Sequence, residues 1–157
     1  MRRIRRKQLL ILAALCAQQL LGGALGATLG FLGGATLGGV AMIISHGGQL
    51  DNLDEVQQRS LVWVILITSG LGIVTGVTWG VARAGKRNGY LGSVPLAFLG
   101  ATLAEVGSFQ LAVGTRDILE ARYPLWPGLG IMLMSLVLPM IGALIGYDVV
   151  SKSRHLE

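Results

Sequence analysis

Among the residues of this 157-residue chain that could do chemistry, Glu105 stands out by its surroundings. It lies in the apolar stretch 90–114, nine residues before Gly114, or about 13 Å below that end at 1.5 Å per helical residue. The same depth along the other apolar stretches reaches Thr36, Ser69 and Ser135, so a polar layer could surround the carboxyl group. No Lys or Arg lies in any of these stretches, which leaves an ionised Glu105 without a counter-ion. A lone charge in hydrocarbon is costly, so Glu105 is expected to be neutral at pH 7. Two roles fit such a group: a proton or cation site in a conduction path, or a neutral acid hydrogen-bonded between helices.

The remaining chemistry-bearing types are scattered. His46 and His155 are far apart and have no cysteine nearby, so no metal site is expected. Cys16 is the single cysteine and cannot form an internal disulfide. There is no Walker-type loop and no nucleophile constellation, and the glycine-rich stretches follow no strand pattern. The expectation is a protein that is not an enzyme and carries no cofactor.

Composition sets the elements that must position Glu105. Charged residues are 13% of the chain and hydrophobic ones 52%, with a mean hydropathy of +0.65. A soluble domain carries about 25% charge. Asp, Glu, Lys and Arg are absent from Gln8 to Leu50, from Ser60 to Ala82 and from Tyr123 to Tyr147. Each run exceeds the ~18 residues that mark a membrane span. These observations exclude a soluble enzyme, a disordered tail and a disulfide-stapled secreted module. They predict an all-α integral membrane four-helix bundle with spans near 20–46, 61–82, 90–114 and 126–147 inside a domain of residues 20–150, followed by a tail at 151–157.

Four spans put both ends of the chain on one side, and the basic residues choose it. Arg2, Arg3, Arg5, Arg6 and Lys7, then Arg83, Lys86 and Arg87, then Lys152 and Arg154 make ten of the thirteen cationic residues. The intervening loops hold Asp51, Asp54, Glu55 and Arg59, then Arg116, Asp117, Glu120 and Arg122. The positive-inside rule therefore predicts both termini in the cytoplasm. The basic groups are read as topology signals and contacts to anionic lipid, not as a nucleic-acid site. Trp63 and Trp126 fall near outer span ends and Trp79, Tyr90 and Tyr147 near inner ones, as interfacial anchors would. Pro95 and Pro139 fall within spans three and four, where a proline removes a backbone hydrogen bond and can kink a helix.

The first apolar segment is too long for one crossing, since Gln8 to Ile44 as a single helix would run about 55 Å. Residues 1–19 have the layout of a secretory signal, a basic end followed by the apolar stretch Leu9 to Ala17, but Leu15 occupies the place where cleavage prefers a small residue. Cleavage would also reverse every loop and put Arg83, Lys86 and Arg87 on the wrong face. The favoured alternative is an uncleaved helix whose first turns lie at the inner surface or against a partner. A cleaved signal and a re-entrant hairpin remain open.

Glycine is the dominant compositional signal, with 24 residues, roughly twice the average share of ~7%. Gly22, Gly26, Gly30, Gly34 and Gly38 recur every fourth position, Gly72, Gly76 and Gly80 repeat the spacing in span two, and Gly142 and Gly146 in span four. In lipid, helices gain no hydrophobic free energy by meeting, so association relies on close backbone approach, which a groove without side chains permits. The spacing predicts glycine-zipper packing. It leaves open whether the groove of span one is filled within the chain, by a second copy or by another subunit.

The segment Pro139-Met140-Ile141-Gly142-Ala143-Leu144-Ile145-Gly146-Tyr147, with Gly89-Tyr90-Leu91-Gly92-Ser93 and Leu99-Gly100-Ala101, resembles a pattern in glycine-rich bacterial membrane proteins of unknown function. That resemblance covers the second half of the chain; it implies a bacterial inner membrane as the location and no activity. In packing alone the chain is similar to the Tim-type translocase family, whose polar and charged signature loops it lacks. Taken with the residues, the expected role is a structural or assembly subunit of a membrane complex, partnered by lipid and by itself or other membrane subunits. The competing role is a small oligomeric channel or transporter with Glu105 on its path.

Overall fold

The structure, a computed structural model, describes residues 2–48, 54–87, 91–122 and 126–154, with side chains placed over 13–48, 54–87, 91–111, 114 and 133–148. The described residues form four helices: α1 (Arg2–Ser45), α2 (Glu55–Arg87), α3 (Val94–Arg122) and α4 (Trp126–Arg154). Three carry stretches long and apolar enough to cross a membrane, Ala13–Ser45, Glu55–Arg87 and Val94–Leu111, and α4 contributes the shorter apolar stretch Leu133–Asp148.

The helix ends follow local rules. The end of α1 is a Schellman motif: Gly47 and Gly48 take φ of 61° and 83°, and Gly48 N donates to Ile43 O at 2.9 Å. Positive φ at both positions is the reason for glycine there. The start of α2 is a capping box, in which Gln57 N donates to Asp54 Oδ1 at 2.7 Å and Asp54 N to Gln57 Oε1 at 3.2 Å. Ser93 opens α3, with Leu96 N 3.4 Å from its Oγ. Pro95 consequently sits in the first turn of α3, inside the apolar stretch as expected but where a helix has no intrahelical N–H bond to lose and no kink follows. Pro139 does lie inside α4 and is buried.

Helix α1 is one unbroken run of 44 residues. At 1.5 Å per residue it is about 66 Å long, twice the hydrocarbon layer, so it extends well past any single crossing. Helix α1 packs along α2, and α3 along α4. The two hairpins meet through α2 against α3 and α4 and through a smaller contact of α1 with α4, and among the described residues α1 and α3 do not touch. The core at this junction is small-residue and β-branched: Ala27, Ile73, Val74, Val77, Val81, Ala97, Ala101, Ala143 and the ring of Tyr147. Large apolar side chains such as Leu25, Leu37, Ile44, Leu103 and Ile145 point outward. This inverted arrangement suits a hydrocarbon solvent, where an exposed leucine costs nothing and close helix approach is the source of stability.

Candidate functional site

Two places concentrate the candidate residues: the seam between α1 and α2, and the niche around Glu105. In the seam, the glycines of the two helices face each other in an antiparallel register that steps four residues up one helix and four down the other. A Cβ at Gly22 would stand 2.7 Å from Gly80 O, one at Gly26 would overlap Gly76 O, and one at Gly30 would overlap Gly72 O. Gly34 meets Thr68 O and Gly38 meets the Thr68 hydroxyl in the same way. The α3–α4 seam uses two glycines of α4: Gly142 faces Gly100, and Gly146 faces Leu96 O. At these separations a Cα–H group lies against the facing carbonyl oxygen, a weak hydrogen bond that only hydrogen in place of a side chain allows. In the chain by itself, the groove of Gly22, Gly26, Gly30, Gly34 and Gly38 is thus filled by α2. Gly33 and Gly39 face open space.

The hydroxyls of the spans are mostly satisfied by their own helices. Thr36 Oγ1 donates to Leu32 O at 2.7 Å, and Thr28, Thr68, Thr75, Thr78 and Thr102 each donate to the carbonyl four residues back. That bond lets a hydroxyl sit in an apolar medium without an external partner.

Glu105 is different. It projects from α3 toward α2, where a Cβ on Gly70 would stand 3.5 Å from Glu105 Oε1, an ordinary van der Waals contact, so Gly70 borders the carboxyl. Ser108 Oγ donates to the Glu105 backbone carbonyl at 2.7 Å. Among the described residues, Glu105 Oε2 and the hydroxyl of Ser69, the chain neighbour of Gly70, are buried without a hydrogen-bond partner. Most buried polar atoms in folded proteins are hydrogen-bonded, which sets these two apart from the hydroxyls above. Of the polar level expected from depth counting, Ser69 lies beside the glycine that borders Glu105. Thr36 does not reach it, because it is exposed on α1, which makes no contact with α3. Ser135 is half-buried on α4.

The aromatic residues divide. Trp63 is exposed and packs against Phe109 with ring centroids 5.9 Å apart. Trp79 is exposed, and Arg83 Cζ lies 5.1 Å from its ring centroid. Tyr147 is not an interfacial anchor but is fully buried, its ring against Gly85 and Gly92, and Ser93 N donates to its carbonyl at 3.3 Å. The reason is that Gly85 and Gly92 leave a cavity that the ring fills. The side chains of Arg2, Arg3, Arg5, Arg6 and Lys7 and of Trp126, and the whole of Tyr90 and His155, lie outside the described residues. Arg83, Lys86 and Arg87 are exposed at the end of α2. His46 Nδ1 is 3.1 Å from Met42 O and 3.0 Å from Ser45 Oγ, a local arrangement at the end of α1. Among the described residues, no group of three or more His, Cys, Asp or Glu could hold a metal ion.

Sequence reasoning missed Gly70 and the role of Tyr147. Gly70 falls outside the four-residue register of Gly72, Gly76 and Gly80, so the spacing gave no reason to single it out. Comparison with protein families, with curated proteins and with solved structures finds no match to this chain.

Proposed function

We propose that this is a non-enzymatic integral membrane protein, a glycine-zippered bundle that serves as a structural or assembly subunit of a membrane complex, with both termini cytoplasmic in a bacterial inner membrane. The observation that carries this reading is the outward face of α1. Leu29, Leu32 and Thr36 are exposed there, and Gly33 and Gly39 face open space. Helix α1 is held by α2 and a small part of α4, so this face is free to meet a helix of a second copy or of another subunit. Small residues flanked by leucines are what close packing in lipid uses. The partner surface is accordingly assigned to Gly33 and Gly39, and the Gly22–Gly38 register to the hairpin itself.

Extraction from the native membrane in a mild detergent, followed by mass spectrometry of what accompanies the protein, tests the proposal. Stoichiometric subunits, or a defined oligomer, that are lost in Gly33→Leu while the monomer still folds would support it. A wild-type protein that behaves as a monomer would remove it.

A second reading has its own observation. The orphaned Glu105 Oε2 and Ser69 Oγ beside Gly70 are the setting a transported proton or cation would occupy. In proteoliposomes, Glu105→Gln keeps the shape and removes the titratable group, so it should abolish flux. Undiminished flux in that variant would end the channel reading.

A further inference from the structure

The helices are joined by two kinds of seam. Among the described residues, every glycine whose Cβ would meet the backbone of another helix does so inside a hairpin, as Gly26 does against α2 and Gly142 against α3. Between the hairpins it is side chains that meet: the core residues Val77, Val81, Ala97 and Ala101, and the rings of Trp63 and Phe109. A seam of side chains can part and reclose without breaking a backbone register.

Glu105 lies in the second kind of seam, its carboxyl against Gly70 of α2. Phe109 is about one turn further along α3, and Trp63 about two turns from Gly70 along α2. No described charge faces the carboxyl. Helix α2 has no Asp, Glu, Lys or Arg between Arg59 and Arg83, and Arg59 is about 16 Å along the helix from Gly70. Helix α3 has no other from Val94 to Leu111, and α4 none from Leu133 to Tyr147. Tyr147 itself packs against Gly85, about 22 Å along α2 from Gly70. Helix α1, with Cys16 and His46, does not touch α3.

A neutral acid fits such a seam and a carboxylate does not. Without a counter-charge the carboxylate needs water, and water reaches the buried Oε2 only if α2 and α3 move apart. A metal ion is a poor substitute for the proton. Both helices run unbroken past this level, so their carbonyls are engaged in helix bonds, and Ser108 Oγ donates to the Glu105 carbonyl. The carboxyl and Ser69 Oγ are what is left, fewer than the roughly six oxygens a hard cation takes.

We propose that Glu105 is a proton-binding site that holds the two hairpins together. With the proton bound, α3 closes on α2; with the proton lost, the hairpins part at this level and water enters, while the glycine seams inside each hairpin stay shut. The quantity that changes is a distance and not a flux, so the proposal stands apart from the channel reading of the same residue.

The test is electron–electron double resonance on the full chain in nanodiscs, with nitroxides at Leu37→Cys on α1 and Val106→Cys on α3 in a Cys16→Ser background. Both positions are exposed, on helices that do not touch. From about pH 4 to about pH 10, which brackets the values recorded for carboxyl groups, the separation should lengthen by about 3 Å, the width of one water. Glu105→Gln keeps the shape and cannot ionise, so it should hold the shorter distance throughout. A pair inside the first hairpin, Leu25→Cys with Leu71→Cys, should not respond, and exchanging potassium for sodium at high pH should not restore the short distance. A separation in the Glu105 protein that is the same at both ends of the range would overturn the proposal, and that result needs no variant at position 105 to fold. Lengthening that persists in Glu105→Gln, equal movement within the first hairpin, or closure by sodium would overturn it as well.

Discussion

The difference between Gly30 and Gly33 is the sharpest statement the molecule makes about single residues. Three positions apart on α1, one would drive a Cβ into Gly72 O and the other would meet nothing. Gly30→Leu should therefore separate α1 from α2 over several turns and destabilise the chain by more than ~3 kcal/mol, the upper range for point changes that force packed backbone apart. Gly33→Leu should leave the detergent melting temperature within a degree or two, and the pair of melting curves checks both. Equal melting temperatures would mean that the hairpin is not held by this register. The four-residue spacing was legible in the sequence because periodicity is a property of the string. The identity of the facing atoms was not, because it depends on the rotation of α1 about its own axis. The same limit explains Glu105: its depth could be counted, and Ser69 beside Gly70 was reached that way, but depth says nothing about direction, and Thr36 faces away.

Two hairpins, α1 with α2 and α3 with α4, are joined at one end by a single large side chain. Tyr147 of α4 fills the space left by Gly85 of α2 and by Gly92 just before α3, so three elements converge on one ring. Tyr147→Ala should cost about 3–5 kcal/mol, as removal of a fully buried aromatic does, and should loosen the α2–α3 connection first. Tyr147→Phe should retain most of the stability, since the ring carries the packing; hydrogen exchange of the helix ends would follow both variants. If Tyr147→Ala exchanges no faster than wild type around Gly85 and Gly92, the ring is not the link between hairpins. The helix starts are separate and weaker controls: Asp54→Ala removes the capping bond to Gln57 N and should cost ~1 kcal/mol without altering helix pairing. Helices α1, α2 and α4 were readable from charge-free runs and α3 from its apolar stretch, yet Pro95 looked like a kink because hydropathy marks where a chain is apolar and not where its helix begins. Ser93, a capping type two residues before Pro95, was the available signal.

At the scale of the whole molecule, the distribution of charge and the geometry of α1 have to be satisfied together. The bundle presents leucine and isoleucine outward almost everywhere, while cations gather where α2 ends and carboxylates where it begins. A helix of about 66 Å cannot lie entirely within a ~30 Å layer along its normal, so a part of α1 must leave the hydrocarbon, and the basic stretch Arg2 to Lys7 is the part with least reason to stay. With Lys86 and Arg87 at the far end of α2, the two basic ends of the first hairpin fall on the same side, which the antiparallel packing of α1 against α2 requires of their backbones. Under the proposed orientation, which rests on the positive-inside rule, that side is the cytoplasm. Single-cysteine variants in a Cys16→Ser background test this. A membrane-impermeant maleimide applied to intact cells should label Asp54→Cys and not Lys86→Cys, and everted vesicles should give the reverse. Labelling of Lys86→Cys from outside would invert the bundle, place the cations at the end of α2 on the outer face, and take with it the cytoplasmic placement of both termini.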